Sequence, residues 1–158
     1  MLKHPDLTLR RAQAFLWQTL RPAEFGDRTP LKIEFNERDC ADQAEAERGP
    51  WQTVEPGFAY GPAYRTVWFR LSGVVPESLA GKPLVVFAEI GGERTVWKDN
   101  SPWCGVDVEH SDFGWLSGAA LAGREVPAAG GEAVSYTIQV YTRNSETVVH
   151  GHEKPRSA

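Results

Sequence analysis

Short stretches in which apolar and polar residues alternate limit the fold of this chain more than any other feature. The clearest is YRTVWFRLSGV, where Val67, Phe69 and Leu71 fall on one side of an extended strand and Trp68 and Arg70 fall on the other. Alternation with a period of two is typical of a strand that buries one face. We therefore expect a strand here, with Phe69 and Leu71 in the core.

Other stretches extend this pattern along the chain. LKIEF and SYTIQVY alternate in the same way, and GGERTVW turns and starts a further strand. LVVFAEI is continuously apolar, which favours a central strand covered on both faces. Because no helical pattern separates these strands, we predict antiparallel sheets packed as a β-sandwich. The residues expected inside it are Phe69, Leu71, Val86, Ile138 and Val140.

One helix is predicted, before the strands begin. TLRRAQAFLWQTLR, residues 8–21, has Thr8 as a suitable N-cap, and Pro22 ends the run. An apolar stripe with helical spacing predicts a face that packs on a core. The stripe consists of Leu9, Ala12, Phe15, Leu16 and Leu20. Residues 36–50 are polar, and we interpret them as a surface loop with a short helical turn.

Composition and charge exclude some classes of partner. The 158 residues are 41% hydrophobic and 24% charged, as in ordinary globular proteins, and the net charge is −4. No basic cluster exceeds Arg10-Arg11, so we expect no nucleic-acid partner. No apolar run approaches the roughly 20 residues that cross a bilayer, so no membrane partner is expected. The N-terminus lacks the apolar core of a secretory signal, which predicts a cytoplasmic protein.

The two cysteines and the acidic residues offer little catalytic chemistry by pattern. Cys40 and Cys104 are predicted to be reduced thiols in a cytoplasmic chain. A cluster near the middle of the chain contains Asp107, Glu109, His110 and Asp112. Its spacing matches no ligand pattern of known metal sites, and a solvated loop is the simpler interpretation. We therefore predict neither a catalytic residue nor a metal ligand.

The six tryptophans are compatible with two different roles. Flat aromatic rings stack on sugars, but they also fill β-rich cores. Trp68 and Trp97 lie in predicted strands and are expected to be structural. Trp103 follows Pro102 in VWKDNSPWCGVDVE and precedes Gly105, so we expect a partly exposed loop residue. Substitution of Trp103 by alanine should then cost no more than about 0.5 kcal/mol.

Several ordered motifs resemble a known family. LTLRRAQAFLWQTLRP, W-x-x-V-x-P-G, T-V-WFR, VPESLAGKPLVV and GGERTVWKDNSPWCGVDVEHSDF occur in this order at the start of the larger α-mannosidases of glycoside hydrolase family 38. YTRNSETVVHGHEKPR resembles the segment that ends this first region. The resemblance implies an accessory β-sandwich of the galactose-binding-like or jelly-roll type, which precedes a catalytic barrel. It implies three parts: a helix and arm over 1–28, the sandwich over 29–145, and an extended tail over 146–158.

The resemblance places the chemistry outside this chain. In that family the nucleophile, the acid and the divalent metal ligands lie in the barrel and beyond, whereas this chain stops at Ala158. No catalytic residue and no cofactor are therefore expected here. A divalent metal (zinc, cobalt or calcium) is expected in the absent catalytic domain of a retaining α-mannosidase that acts in mannoside catabolism.

Two hypotheses about function remain open. The first is a non-catalytic N-terminal module that acts in domain packing, in assembly and in shaping the substrate cleft; its partners are the missing catalytic domain or its own oligomer. The second is a free-standing carbohydrate-binding module that recognises mannosides. Candidate residues for contact with a carbohydrate or another domain are Trp97, Asp99, Trp103, Asp107 and His110.

Overall fold

The computed structural model describes residues 4–20, 29–82, 84–88, 90–106, 112–114, 127–143 and 147–148. The chain divides into two compact units. One holds the described residues up to Thr29, and the other holds those from Pro30 onward. None of the helices in the described ranges is long and apolar enough to cross a membrane.

The first unit contains the predicted helix, but the helix begins earlier than the sequence suggested. Helix α1 spans Pro5–Phe15, and a π-helical segment, Leu16–Leu20, continues it. Pro5 occupies the first turn, where its missing N–H costs no hydrogen bond. The prediction of Thr8 as N-cap is wrong, because Thr8 lies inside the helix and its hydroxyl donates to the His4 carbonyl at 3.0 Å.

The stripe on α1 is not buried, which corrects a second prediction. All residues of α1 and of its π-helical continuation are exposed, including Leu9, Phe15 and Leu20. The apolar spacing of the stripe is a property of the helix alone. Burial requires in addition a surface that covers it, and periodicity does not specify such a surface.

The second unit is built from antiparallel strands, as predicted. The described strands are β1 (Lys32–Asn36), β2 (Gln52–Val54), β3 (Ala59–Tyr60), β4 (Thr66–Val74), β5 (Val85–Phe87), β6 (Glu93–Lys98), β7 (Ser101–Val106), β8 (Asp112–Gly114), β9 (Ala133–Tyr141) and β10 (Thr147–Val148). Six of them form one sheet in the order β2-β1-β4-β9-β6-β7. The longest strands, β4 and β9, pair over nine residues at its centre, from Thr66 opposite Tyr141 to Val74 opposite Ala133.

One face of this sheet carries the main core. Phe69 is fully buried, with the Tyr60 ring edge-on at 4.9 Å and the Phe35 ring at 5.2 Å between centroids. The Tyr60 hydroxyl donates to the Gly91 carbonyl at 2.8 Å, and burial raises its pKa. The predicted core is confirmed: its buried members include Phe69, Leu71, Val86, Ile138 and Val140.

The LVVFAEI stretch lies elsewhere than expected. Among the described residues of the run, Val85–Phe87 form a strand, β5, which pairs with β8 in a separate two-stranded sheet, while β3 pairs with β10 in another. The prediction of a central strand covered on both faces is wrong. Val86, Ala88 and Ile90 are buried in the core, whereas Val85 is 45% exposed. Three alternate side chains of the run are therefore buried, and the apolar but exposed Val85 concealed that period.

Candidate functional site

Four consecutive strands of the six-stranded sheet align their side chains on the face opposite the main core. The register places Glu34 of β1 beside Arg70 of β4, Arg70 beside Thr137 of β9, and Thr137 beside Trp97 of β6. The adjacent row contains Trp68. We call this surface the tryptophan face. It carries Trp97, one of the residues that the sequence suggested for contact with a ligand.

The two tryptophans of this face pack on each other. Trp68 is fully buried, and its ring lies 5.5 Å from that of Trp97 between centroids, tilted by 54°. The Trp97 indole N–H donates to the Gln139 side-chain carbonyl at 3.1 Å. Trp97 is only half-buried, but both its ring and its donor are engaged by its own sheet. The predicted place of Trp68 in a core is confirmed, and Trp97 packs on it. The contact role suggested for Trp97 stays a prediction.

Residues 38–51 of the chain cover the tryptophan face. The short helix α2, Gln43–Glu47, lies in this segment, and Asp42 caps it by accepting the Glu45 N–H at 2.8 Å. Ala46 is buried against Trp68, and its carbonyl accepts a hydrogen bond from the Asn36 side chain at 3.0 Å. The predicted helical turn in this loop is confirmed, but the segment closes a second small core rather than lying free on the surface.

An ion-pair network fastens α2 to the sheet. Arg70 donates to Glu34 through Nε at 2.9 Å and to Glu47 of α2 through Nη1 at 2.9 Å. Lys32 contacts the other oxygen of Glu34 at 2.7 Å. The hydrogen bonds from Arg70, and then from Lys32, lower the pKa of Glu34. The Arg70 guanidinium also lies 4.5 Å from the centroid of Trp51, so it packs on an aromatic face.

A two-residue turn joins the same helix to β6 and β7. Asp99 and Asn100 have φ angles of 51° and 59°, the left-handed pair that a tight hairpin loop requires. The Asn100 side-chain oxygen accepts the Ala44 N–H at 2.8 Å, and the Asn100 N–H donates to the Gln43 side chain at 3.0 Å. Asp99 itself is exposed. Asp99, and not Asn100, was predicted as a contact residue, although both residue types are favoured at left-handed positions. The contact role of Asp99 stays a prediction.

Trp103 lies in a strand, which corrects the prediction of a loop. Strand β7 includes it, and the ladder pairs Val96 with Cys104 but Trp97 with Pro102, so Trp103 is the extra residue of a β-bulge. A bulge redirects side chains. Trp103 and Cys104 consequently both pack, partly buried, against the main core. Pro102 is tolerated because β7 is an edge strand. Partial exposure of Trp103 and greater burial of Trp68 are confirmed.

Substitution of Trp103 by alanine is now expected to destabilise the fold more than the same substitution in an exposed loop would. Removing a half-buried indole from the core edge should lower the free energy of unfolding by about 1–2 kcal/mol, because apolar area returns to water. Urea unfolding followed by circular dichroism measures this loss. Trp103→Phe keeps an aromatic ring and is the matched control, with less than half of the effect. A loss below about 0.5 kcal/mol for Trp103→Ala would contradict the core contact.

The other residues considered for chemistry are Asp107, His110 and the two cysteines. Asp107 and His110 lie outside the described residues, so their contact role stays a prediction. Within the described ranges no group of three or more histidine, cysteine, aspartate or glutamate side chains could hold a metal ion. Cys40 and Cys104 are free thiols, as predicted. Burial raises the pKa of Cys40 and raises that of Cys104 to about 11, so both are poor nucleophiles.

These strands define a mainly antiparallel β-sandwich. A segment of the same chain covers its tryptophan face. A family model described as "Alpha-mannosidase, jelly roll domain" matches residues 29–148. The chain belongs to this family of α-mannosidase jelly-roll domains, which confirms the resemblance seen in the sequence.

Curated relatives agree with this assignment. The chain is 31% identical to human alpha-mannosidase 2C1 over 116 residues and 29% identical to the mouse protein of that name over 115 residues. In both comparisons 68% of this chain is aligned with 11% of the relative. The chain therefore spans about a tenth of the length of the curated relatives it matches.

Proposed function

We propose that this chain is the non-catalytic N-terminal β-sandwich domain of an α-mannosidase, where it acts in domain packing and assembly and shapes the substrate cleft. The observation that carries the proposal is the closure of the tryptophan face by residues 38–51. Trp97 packs on Trp68, and the turn that contains Asp99 is bonded through Asn100 to α2. The aromatic and polar side chains of this face hold the domain together, which is the role of a scaffold.

The carboxylates of the tryptophan face are arranged as ion-pair partners and not for hydrolysis. This arrangement favours a catalytic centre elsewhere in such a protein. Retaining hydrolysis of a glycoside requires an acid with a raised pKa and a nucleophile about 5 Å from it. Glu34 and Glu47 are brought together by Arg70, but the guanidinium lowers the pKa of Glu34 and favours its ionised form. This pair therefore serves an ion-pair network. The acid, the nucleophile and a divalent metal would belong to the remainder of a cytoplasmic, family 38 enzyme.

An activity assay tests this proposal. The purified chain should hydrolyse no aryl α-mannoside, with or without added zinc, cobalt or calcium, because the carboxylate pair of the tryptophan face, Glu34 and Glu47, is held by Arg70 as an ion-pair network. Release of the aryl group is followed by absorbance, and a complete α-mannosidase that contains such a domain is the positive control. Metal-dependent turnover by the chain alone would overturn the proposal, and loss of that turnover in Asp107→Asn or His110→Ala would assign the activity to the central loop.

The alternative, a free-standing carbohydrate-binding module, makes a different prediction. Sugar stacking needs a flat exposed ring, whereas Trp68 is fully buried and Trp97 is half-buried against it. Titration with methyl α-mannoside should therefore give no saturable change in the fluorescence of these two tryptophans up to millimolar sugar. Saturable binding would favour the carbohydrate-binding module over the scaffold.

A further inference from the structure

Tyr64 is the most exposed large apolar side chain in the part of the chain that the structure describes. It lies in the turn between β3 and β4, and 76% of its surface is accessible. Its φ angle is 62°, in the left-handed region that bulky residues seldom adopt. An exposed aromatic ring and a strained backbone thus coincide at one position.

The surrounding hydrogen bonds hold Tyr64 in this conformation. Its N–H donates to the Thr142 carbonyl at 2.7 Å, and the Thr142 N–H donates to the Arg65 carbonyl at 2.9 Å. The Thr142 hydroxyl accepts the Arg65 N–H at 3.0 Å and donates to the Pro62 carbonyl at 2.8 Å. Thr142 is fully buried. These hydrogen bonds fix the backbone of the turn, so little backbone entropy remains to be lost when the turn meets a partner.

The fold itself does not explain why this position carries a tyrosine. Left-handed backbone is unfavourable for a bulky residue, and asparagine or glycine adopts it more readily. A ring that is mostly in water gains little from packing within its own chain. A strained residue that persists without an internal benefit points to a function outside the domain.

The turn lies where the chain leaves the central sheet. Strand β9 ends at Tyr141, one residue before Thr142, and β10 returns to pair with β3. The match to the jelly-roll family ends at residue 148, and the matched relatives are much longer than this domain. The polypeptide of such a relative therefore continues from a strand that pairs with β3, the strand that leads into the Tyr64 turn.

We infer that Tyr64 is a docking residue whose ring inserts into an apolar hollow on the remainder of an α-mannosidase polypeptide, with its hydroxyl bonded to an acceptor there. Tyrosine suits this role because it combines a large apolar ring with a polar tip, and it is enriched at interfaces. The inference rests on the proposed scaffold function and names the surface through which the scaffold acts.

Thiol labelling of introduced cysteines tests the inference. Tyr64→Cys is prepared in the 158-residue chain and in a complete α-mannosidase polypeptide that contains it. A maleimide should label Tyr64→Cys at least ten-fold more slowly in the complete polypeptide, because the position is covered there. The parent proteins measure the background from Cys40 and Cys104. The control is Val74→Cys, which is 58% exposed at the far end of β4 and should label equally in both settings.

The outcomes separate this inference from the proposed function. If Tyr64→Cys labels equally in both settings while another exposed site such as Val85→Cys is slowed, the domain docks through a different surface and the inference is wrong. If no exposed site is slowed, the scaffold function fails as well. Slower labelling of the isolated chain at higher protein concentration would identify a second copy as the occupant and overturn the inference.

A stability measurement gives independent evidence. Tyr64→Asn should raise the folding equilibrium constant of the isolated chain by about two- to five-fold, since it relieves left-handed strain and removes no internal packing. In the complete polypeptide the same substitution should increase proteolytic release of the domain. A lower folding constant in the isolated chain would show that Tyr64 stabilises its own domain, and would contradict the inference.

Discussion

Substitution of Phe69 by alanine is expected to lower the free energy of unfolding of the chain by about 3–5 kcal/mol. Phe69 is fully buried at the centre of the longest strand pair, with aromatic rings on two sides. Its removal forfeits the favourable transfer of a large apolar ring out of water and leaves a cavity that Phe35 and Tyr60 cannot fill, because each is held by its own strand. Edge-to-face contacts add to the loss.

Urea unfolding, followed by circular dichroism and by tryptophan fluorescence, measures this effect. Phe69→Leu keeps most of the volume and should cost about half as much. Val74→Ala truncates an exposed residue of the same strand and should change stability by less than about 0.5 kcal/mol. A loss for Phe69→Ala no larger than that for Val74→Ala would contradict the position of the core.

Substitution of Arg70 by methionine is expected to cost about 2–3 kcal/mol at neutral pH. The Arg70 side chain is 25% exposed and that of Glu34 is 12% exposed, so the loss is smaller than for a fully buried pair. The variant leaves Glu34 without its main partner and removes one of two bonds from the sheet to Glu47 of α2, the other being donated by the Thr137 hydroxyl at 2.6 Å. It also removes the guanidinium from the Trp51 ring. Methionine preserves much of the packing volume, so the loss reports chiefly the charge.

The pH dependence of stability separates charge from packing in this variant. The pKa of Glu34 is lowered in the folded chain, so its contribution is present above the unfolded pKa, near 4.5, and is lost as pH falls through the lower folded value. Arg70→Met removes the main cause of this shift, and the acid-sensitive part of the stability should shrink. Adding Glu34→Gln should recover part of the loss at neutral pH.

An exposed ion pair of the same segment provides the control for Arg70. Arg38 lies 3.5 Å from Glu45, with side chains 47% and 36% exposed. Arg38→Met should therefore change stability by less than about 1 kcal/mol. Equal losses for Arg70→Met and Arg38→Met would show that the network under α2 contributes no more than a surface contact.

The contacts that cover the tryptophan face could not be predicted from the sequence. Alternation in β4 placed Phe69 and Leu71 inside and Trp68 on the other face, and the structure agrees. It could not show that Trp68 is also fully buried. That burial depends on α2, which is fixed by Asn100 across a separation of 57 residues along the chain. A contact of this range has no local sequence signature.

The bulge at Trp103 shows the same limit within one hairpin. Pro102 and Gly105 are residue types of loops, and they predicted a loop. The edge position of β7 tolerates Pro102, and the bulge turns Trp103 towards the core. Strand partners, which are a property of the whole sheet, override the local preference.

The sequence by itself determined the class of fold, the membership of the main core and the family. These follow from period-two alternation and from ordered motifs, and both are patterns of residues that are close together along the chain. Only the tertiary structure decided which aromatic rings are available. Closure of the tryptophan face withdraws Trp68 and part of Trp97 from solvent, whereas Tyr64, whose backbone is bonded to Thr142, stays exposed. Exposure depends on segments that are distant in the chain but adjacent in space, so no local pattern specifies it.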